Sequence, residues 1–237
     1  MEHNPLIAVL VNDLLHWLLG LAGIRVHGDV VPAYLIMALI VTLIIVLTVK
    51  LLVRNLSLFP GRLQYSLEAL YKFFRNLLDD MVGHEGRQFL PAVGTLGIFI
   101  ASCNLIGLLP EMASPTTNIN VTAGCALFIF SYYNYQGIRR HGLWGYIRTF
   151  MGPAWWMAFI MMPIELISHL SRLLSLSIRL FGNIFGEDLV ILILASLIPF
   201  VAPLPMMVMA IFTSLIQAYV FMMLSTVYLA GATRSEH

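Results

Sequence analysis

The sequence predicts an all-α polytopic membrane protein with about five membrane-crossing helices. Of its 237 residues, 59% are hydrophobic and 11% are charged, whereas about 25% of the residues of a typical soluble domain are charged. Charge-free runs recur along the chain, and each is long enough to cross the roughly 30 Å hydrocarbon core of a bilayer as a helix. The net charge of +1 excludes the basic surface of a nucleic-acid-binding protein.

The N-terminal segment is apolar between residues 5 and 23 but is interrupted by polar side chains. They are Asn12, Asp13 and His16. This pattern predicts an amphipathic helix that lies at the membrane interface rather than a span. The expected organisation is therefore an interfacial segment at residues 1–29 and a single membrane domain at residues 30–237.

Five later segments are predicted to cross the membrane, because each is long and apolar. They cover residues 32–53, 89–110, 119–136, 154–199 and 206–232. The connection at residues 54–88 instead carries apolar residues at helical spacing, which predicts a second amphipathic helix at the surface. These residues are Leu67, Leu70, Tyr71, Phe74, Leu77 and Leu78.

The segment at residues 154–199 is too long to stand upright in a bilayer. As one helix it would measure roughly 67 Å, so it must tilt steeply or break, for example near Gly182 or Gly186. Three prolines that follow are expected to form the turn into the last helix. They are Pro199, Pro203 and Pro205.

Basic residues predict the orientation of the chain. They concentrate between the first and second spans and between the third and fourth, whereas Arg25 is alone on the opposite side. Because cytoplasmic loops carry the excess of lysine and arginine, the N-terminus is predicted outside and the C-terminus in the cytoplasm.

A polar stripe runs along the helix predicted between residues 165 and 188. Successive residues turn by about 100°, which brings the polar and small side chains onto one face. The stripe consists of Glu165, Ser168, His169, Arg172, Ser175, Arg179, Gly182, Asn183, Gly186 and Glu187. A charged arginine at membrane depth costs roughly 2.5–3.5 kcal/mol, so this face is expected to meet a partner or a water-filled cavity.

Arg179 lies in the middle of the polar stripe. Its guanidinium stays protonated at any accessible pH, so it holds a fixed positive charge and cannot relay protons. A carboxyl group carried past it would lose its proton there, because a nearby positive charge favours the ionised form. This predicts a deprotonating gate in an ion path. The alternative is an arginine that snorkels or pairs within its own chain.

Acidic side chains occupy both ends of the stripe. Glu187 and the adjacent Asp188 lie about 12–14 Å beyond Arg179 along the helix, and they predict the end of a proton relay that opens to water. The alternative is an ion pair with Arg179 or Arg172. At the other end, Glu165 and His169 predict a second aqueous access.

Two further alternatives concern the end of the stripe that contains Glu165, which is predicted to lie nearer the cytoplasm. Trp155 and Trp156 indicate a membrane interface close to Glu165, so its polarity also fits a position near the headgroups. Arg172 either pairs with Glu165 or guides ions.

Small and amide side chains complete the candidate site. Gly182 and Gly186 form a G-x-x-x-G motif, which allows a neighbouring helix to approach closely, and Ser175 extends this small-residue face. Asn183 and Gln217, the latter on the last helix, either line an ion path or bond between helices.

No sequence pattern indicates another chemistry. Walker, dinucleotide-binding, zinc-protease and nucleophile-elbow motifs are absent from the sequence. Cys103 and Cys125 lie in apolar runs without zinc spacing, so they are interpreted as buried small hydrophobic residues. The remaining functional classes are an ion-conducting subunit that docks partner helices, a self-contained secondary transporter or channel, and a structural anchor. Inverted repeats, which many transporters contain, are not found in the sequence.

The segment Ser177–Asn183, which reads SIRLFGN, resembles the signature of subunit a of F-type ATP synthase. Further segments resemble this family in the family's order. They are Phe89–Pro91, Asn104–Pro110, Pro115–Thr122 and Leu215–Phe221. The resemblance covers roughly residues 30–233.

The resemblance implies a stator without a catalytic site or cofactor of its own, in the inner membrane of a bacterium. Two long tilted helices would lie as a hairpin beside a rotor ring of small c-type proteolipid subunits. Peripheral stalk subunit b and membrane lipid would be further partners, and the soluble catalytic head an indirect one. Arg179 would separate two aqueous half-channels and release the proton of each ring carboxyl.

The resemblance also assigns further residues to the path and shows two departures. Asp188, with Glu187 before it, matches the family's acid after the motif, Gln217 its final-helix amide and Glu165 its cytoplasmic-side acid. Some relatives carry a histidine at the position of Ala210, so the outer relay would have to rest on acids, amides and water. Many relatives have a proline at the position of Leu173, which affects the local helix geometry.

Overall fold

In a computed structural model, the described residues are 5–21, 30–54, 61–109, 112–151, 158–199 and 201–233. Within these ranges the chain forms seven α-helices and two 3-10 helices, and no strand. The α-helices are α1 Leu6–Leu21, α2 Ala33–Val53, α3 Arg62–Val82, α4 Leu90–Ile106, α5 Ile119–Met151, α6 Ala158–Leu197 and α7 Pro203–Thr233. The 3-10 helices are His84–Phe89 and Pro115–Thr117. The all-α prediction is confirmed.

Four of the described helices are long and apolar enough to cross a membrane. They are α2, α4 with its preceding residues from Gly86, α6 and α7, which confirms a polytopic membrane protein. Helix α5 is not among them. Its first arm still spans about 34 Å at 1.5 Å per residue. Five crossings, with α5 as the fifth, therefore stay a prediction.

A kink divides α5 at Gly142, whose φ of 72° lies in the region that glycine adopts without a steric penalty. After the kink the chain folds back onto the first arm. The Tyr146 hydroxyl donates a hydrogen bond of 2.6 Å to Asn134 Oδ1. Its ring packs so closely on Gly137 that an added Cβ would lie 2.5 Å from Tyr146 Cε2.

Asn12 ties α1 to the start of α2. Its Nδ2 donates to the Val31 carbonyl at 3.0 Å, and its Oδ1 accepts from the Val31 N–H at 3.1 Å. One of the three polar residues that interrupt the N-terminal segment is thus turned inward and buried. The interfacial position of α1, and the boundary of the N-terminal segment at residue 29, stay predictions.

The predicted amphipathic helix at residues 54–88 is confirmed as α3. Phe74, Leu77 and Leu78 are buried, whereas Tyr71 is 54% exposed, so the buried face is narrower than the spacing of apolar residues predicts. On the polar face, Asp79 forms ion pairs with two guanidinium groups. Arg75 Nε lies 3.6 Å from Asp79 Oδ2, and Arg87 Nη2 lies 3.0 Å from the same atom.

The core lies where α4, α5, α6 and α7 meet. Its fully buried side chains come from all four helices and include Ile100, Ile129, Leu180, Phe221 and Leu229. The two cysteines are buried as predicted.

The connection between α4 and α5 is held against α4 by hydroxyl groups. Ser114 Oγ donates to the Cys103 carbonyl at 2.9 Å, and Thr116 Oγ1 donates to Asn104 Oδ1 at 2.7 Å. Ser114 also approaches Gly107 closely, since an added Cβ at Gly107 would lie 2.5 Å from Ser114 Cβ. The connection therefore covers the end of α4.

Helix α6 is continuous over 40 residues and passes through Gly182, Gly186 and Leu173 without interruption. Of the two alternatives predicted for this segment, the break near Gly182 or Gly186 is not observed, because both glycines lie within one continuous helix. At about 60 Å, α6 is about twice the thickness of a bilayer core. Steep tilt is the remaining way for it to lie within the membrane.

The turn between α6 and α7 is shorter than predicted. Pro199 lies in it, but Pro203 begins α7 and Pro205 lies in its first turn. Both prolines are accommodated there because the first N–H groups of a helix have no intrahelical acceptor to lose.

Candidate functional site

The polar stripe of α6 lies along the seam between α6 and α7. Three contacts across this seam share one antiparallel register, in which each step forward on α6 matches a step back on α7. They are Glu187 beside Thr213, Asn183 bonded to Gln217, and Arg172 stacked on Tyr228. On this register, the residue of α7 level with Arg179 is Phe221, which is apolar and buried.

Arg179 is exposed, and it makes no hydrogen bond or ion pair with any residue that the structure describes. The carboxyl groups of its own helix lie far along the axis. Glu187 is about 12 Å away in one direction, and Glu165 about 21 Å in the other. The guanidinium therefore faces outward from the seam, and no described residue of its own chain compensates its charge.

Asn183 and Gln217 bond to each other. Asn183 Nδ2 donates to Gln217 Oε1 at 2.8 Å, and Gln217 is buried whereas Asn183 is exposed. Of the two alternatives for these amides, the structure shows the contact between helices. Because Asn183 stands one turn from Arg179, this contact fixes α7 against α6 next to the guanidinium.

Glu187 and Asp188 are half-buried at the C-terminal end of the stripe. Within the described part of the chain neither forms an ion pair. The alternative in which they pair with Arg179 or Arg172 is therefore not observed. Glu187 lies beside the Thr213 hydroxyl of α7 instead.

At the N-terminal end of the stripe, three side chains form a connected series. His169 Nε2 lies 3.4 Å from Glu165 Oε1 on the preceding turn of α6. On its other side, His169 Nδ1 lies 2.9 Å from the Tyr133 hydroxyl of α5. Glu165 is 42% exposed, whereas His169 and Tyr133 are buried, so the series leads from the surface into the core.

Arg172 does not pair with Glu165, although both lie on the stripe. Its guanidinium carbon lies 5.5 Å from the centroid of the Tyr228 ring, a distance typical of a cation–π contact. Neither of the two roles that the sequence suggested for Arg172 includes this contact. It attaches α6 to α7 at a second point, on the N-terminal side of the Asn183–Gln217 hydrogen bond.

The small residues of the stripe face open space. A Cβ added at Gly182 or Gly186 would meet no atom of the described chain within 4 Å, and Ser175 is exposed. This edge of α6, beside Arg179, is thus not covered by any described helix. Ser168, near the N-terminal end of the stripe, is half-buried.

Three contacting residues lie outside the set that the sequence indicates. They are Tyr133, Thr213 and Tyr228. The helical period of one segment gives no information about the rotation of its neighbours, and no polar stripe in the sequence marks these three residues. Ala210 is buried one turn before Thr213, and its side chain has no polar atom. Its carbonyl accepts a hydrogen bond of 3.1 Å from Thr213 Oγ1.

Comparison with known proteins identifies the family of this chain. The family described as "ATP synthase A chain" matches residues 35–230, a range that contains α3 to α6 whole and nearly all of α2 and α7. "ATP synthase subunit a 3" of Pelobacter propionicus is 45% identical over 84% of this chain and 86% of its own. "ATP synthase subunit a" of Trichlorobacter lovleyi is 39% identical over the full length of both. The chain therefore belongs to the ATP synthase A chain family.

Proposed function

We propose that this chain is the proton-translocating stator subunit of a bacterial F-type ATP synthase, with Arg179 as the gate. The observation that supports this most directly is the exposure of Arg179 without a partner among the described residues of its chain, level with an apolar residue of α7. A guanidinium in this position is available to a carboxyl group on another protein.

The proposed mechanism follows from the fixed charge. A protonated ring carboxyl that passes Arg179 loses its proton, because the adjacent positive charge stabilises the carboxylate. The proton leaves toward one end of the stripe, and another enters from the other end. Direct leakage along the seam is opposed, since a free proton is repelled by the guanidinium.

Two half-channels are proposed at the two ends of the stripe. The outer one includes Glu187, Asp188, Asn183 and Gln217, and the inner one includes Glu165 and His169. The acids of the two ends are about 33 Å apart along α6, and Arg179 lies between them. This separation prevents a proton from crossing without being carried by the ring.

The proposed orientation places the N-terminus outside and the C-terminus in the cytoplasm, as a multi-pass protein of the inner membrane. A phosphatase or fluorescent reporter fused after residue 237 should report a cytoplasmic position. The same reporter active only on the periplasmic side would contradict the proposed orientation with five crossings.

The edge of α6 at Gly182 and Gly186 is the proposed docking surface for the ring. Gly182→Leu should leave the chain folded and inserted, because the added atoms meet open space in the isolated chain. It should remove the proteolipid ring from material that co-purifies with the tagged chain. Subunit b should stay bound, as it is proposed to contact other faces.

Gly124→Leu is the matched control, since Gly124 of α5 is exposed and its added Cβ would also meet nothing within 4 Å. Retention of the ring by both variants would rule out this edge as the rotor face. Wild-type chain that purifies alone, with no ring and no catalytic head, would instead support a self-contained transporter.

A further inference from the structure

A buried tyrosine of α5 contacts the stripe at its N-terminal end, and it is not part of the proposed proton path. Tyr133 of α5 is 1% exposed, and its hydroxyl lies 2.9 Å from His169 Nδ1. His169 Nε2 lies 3.4 Å from Glu165 Oε1. The imidazole thus separates a buried phenol from a half-exposed carboxyl.

The two contacts together define where the imidazole proton lies. A neutral histidine has one donor and one acceptor nitrogen, and a phenol donates readily to the acceptor. When Tyr133 donates to Nδ1, the ring proton lies on Nε2, which points at Glu165. The reverse tautomer would direct the lone pair of Nε2 at the Glu165 carboxylate and is disfavoured.

Two charged groups of α6 lie within about one turn of His169. Glu165 lies on the preceding turn and Arg172 on the following one. The elements packed against this turn contribute the hydroxyl of Tyr133 and, further out, those of Tyr146 on α5 and Tyr228 on α7. The described neighbours therefore supply one carboxylate, one guanidinium and three phenols.

We propose that Tyr133 is a positioning residue that holds the His169 proton on Nε2, so that this N–H orients the Glu165 carboxylate at the inner entrance. This inference rests on the proposed function and deepens it. Glu165 is then the group that takes and releases protons, and His169 is a fixed donor rather than a carrier. The hydroxyl of Tyr133 acts only through His169.

The test uses the complete ATP synthase in inverted membrane vesicles, in which the cytoplasmic side faces the medium. Tyr133→Phe should lower ATP-driven proton pumping at pH 8 by roughly three- to tenfold, as expected for the loss of one orienting hydrogen bond. The defect should shrink when the medium is acidified until the imidazole takes its second proton. A cationic His169 carries a proton on Nε2 without help from the phenol.

Tyr132→Phe is the matched control. Tyr132 lies next in the same helix, and its contacts are with the Phe89 and Phe128 rings. Its pumping rate and pH profile should equal those of the wild type. A purely structural role of Tyr133 would reduce the amount of assembled complex and leave the pH profile of the remainder unchanged, which would overturn the proposal.

His169 variants separate a donor from a carrier. His169→Gln keeps an N–H near the position of Nε2 but cannot titrate, so it should retain pumping within about threefold, and adding Tyr133→Phe to it should have no further effect. His169→Leu should lose more. Equal loss in both His169 variants would make His169 a carrier and overturn the proposal. Failure of the proposed function itself would appear differently, as normal coupling in Arg179→Ala.

Discussion

Arg179→Ala should abolish ATP synthesis driven by a proton gradient while the complex still assembles. We expect a loss of at least about a hundredfold, comparable to removal of a preorganised charge from a reaction site. The physical reason is that a ring carboxyl would no longer meet a positive charge that releases its proton. Because Arg179 bonds to no described residue of its own chain, its removal should not disturb the fold.

Synthesis is measured in vesicles with an imposed gradient, and assembly is measured as co-purified ring and head. Arg139→Ala is the control, since Arg139 is an exposed arginine of α5 outside the polar stripe. Passive proton flux after removal of the head should persist in Arg179→Ala, because the repelling charge is gone. Synthesis within twofold of wild type in that variant would refute the gate.

Glu187→Gln combined with Asp188→Asn should slow proton entry from the outer side by about a hundredfold or more, the lower range for a lost acid–base group. Both acids are half-buried and unpaired with a cation in the described chain. Their replacement by amides therefore removes proton-accepting groups without leaving a buried charge uncompensated. The measurement is passive proton flux through head-stripped membranes as a function of the outer pH.

A matched change of charge is available on α3. Glu68→Gln with Asp80→Asn removes two acids outside the stripe, and it should leave the flux unchanged. If the variant with Glu187 and Asp188 replaced conducts protons as fast as this control, the two acids are structural. The single Glu187→Gln change should have the larger share of the effect, because Glu187 lies on the seam beside Thr213.

The departure at Ala210 has a structural counterpart. The resemblance implies a histidine at this position in some relatives, whereas here the side chain is a buried methyl group. Thr213, one turn further, brings a hydroxyl beside Glu187 instead. We therefore infer that the Thr213 hydroxyl and the Asn183 and Gln217 amides take the place of an imidazole near Glu187.

Hydropathy and helical period were sufficient for the membrane class, the order of the helices and the stripe on α6. They were not sufficient to predict where the helices end or whether they bend. They left a steep tilt and a break near Gly182 or Gly186 as alternatives for α6, and the prediction that three prolines form the turn was wrong. Glycine and proline are compatible with a helix when packing or position compensates, and single-sequence rules do not contain that compensation.

The sequence by itself determined that a charged stripe lies on one face of a membrane helix, because hydropathy and the 3.6-residue period are properties of a single segment. Only the tertiary structure decided which stripe residues find partners. Asn183 meets Gln217 across 34 positions and His169 meets Tyr133 across 36, whereas Arg179 meets none in the described chain. Such contacts depend on how neighbouring helices are rotated and aligned, and this is set by the packing of the whole core.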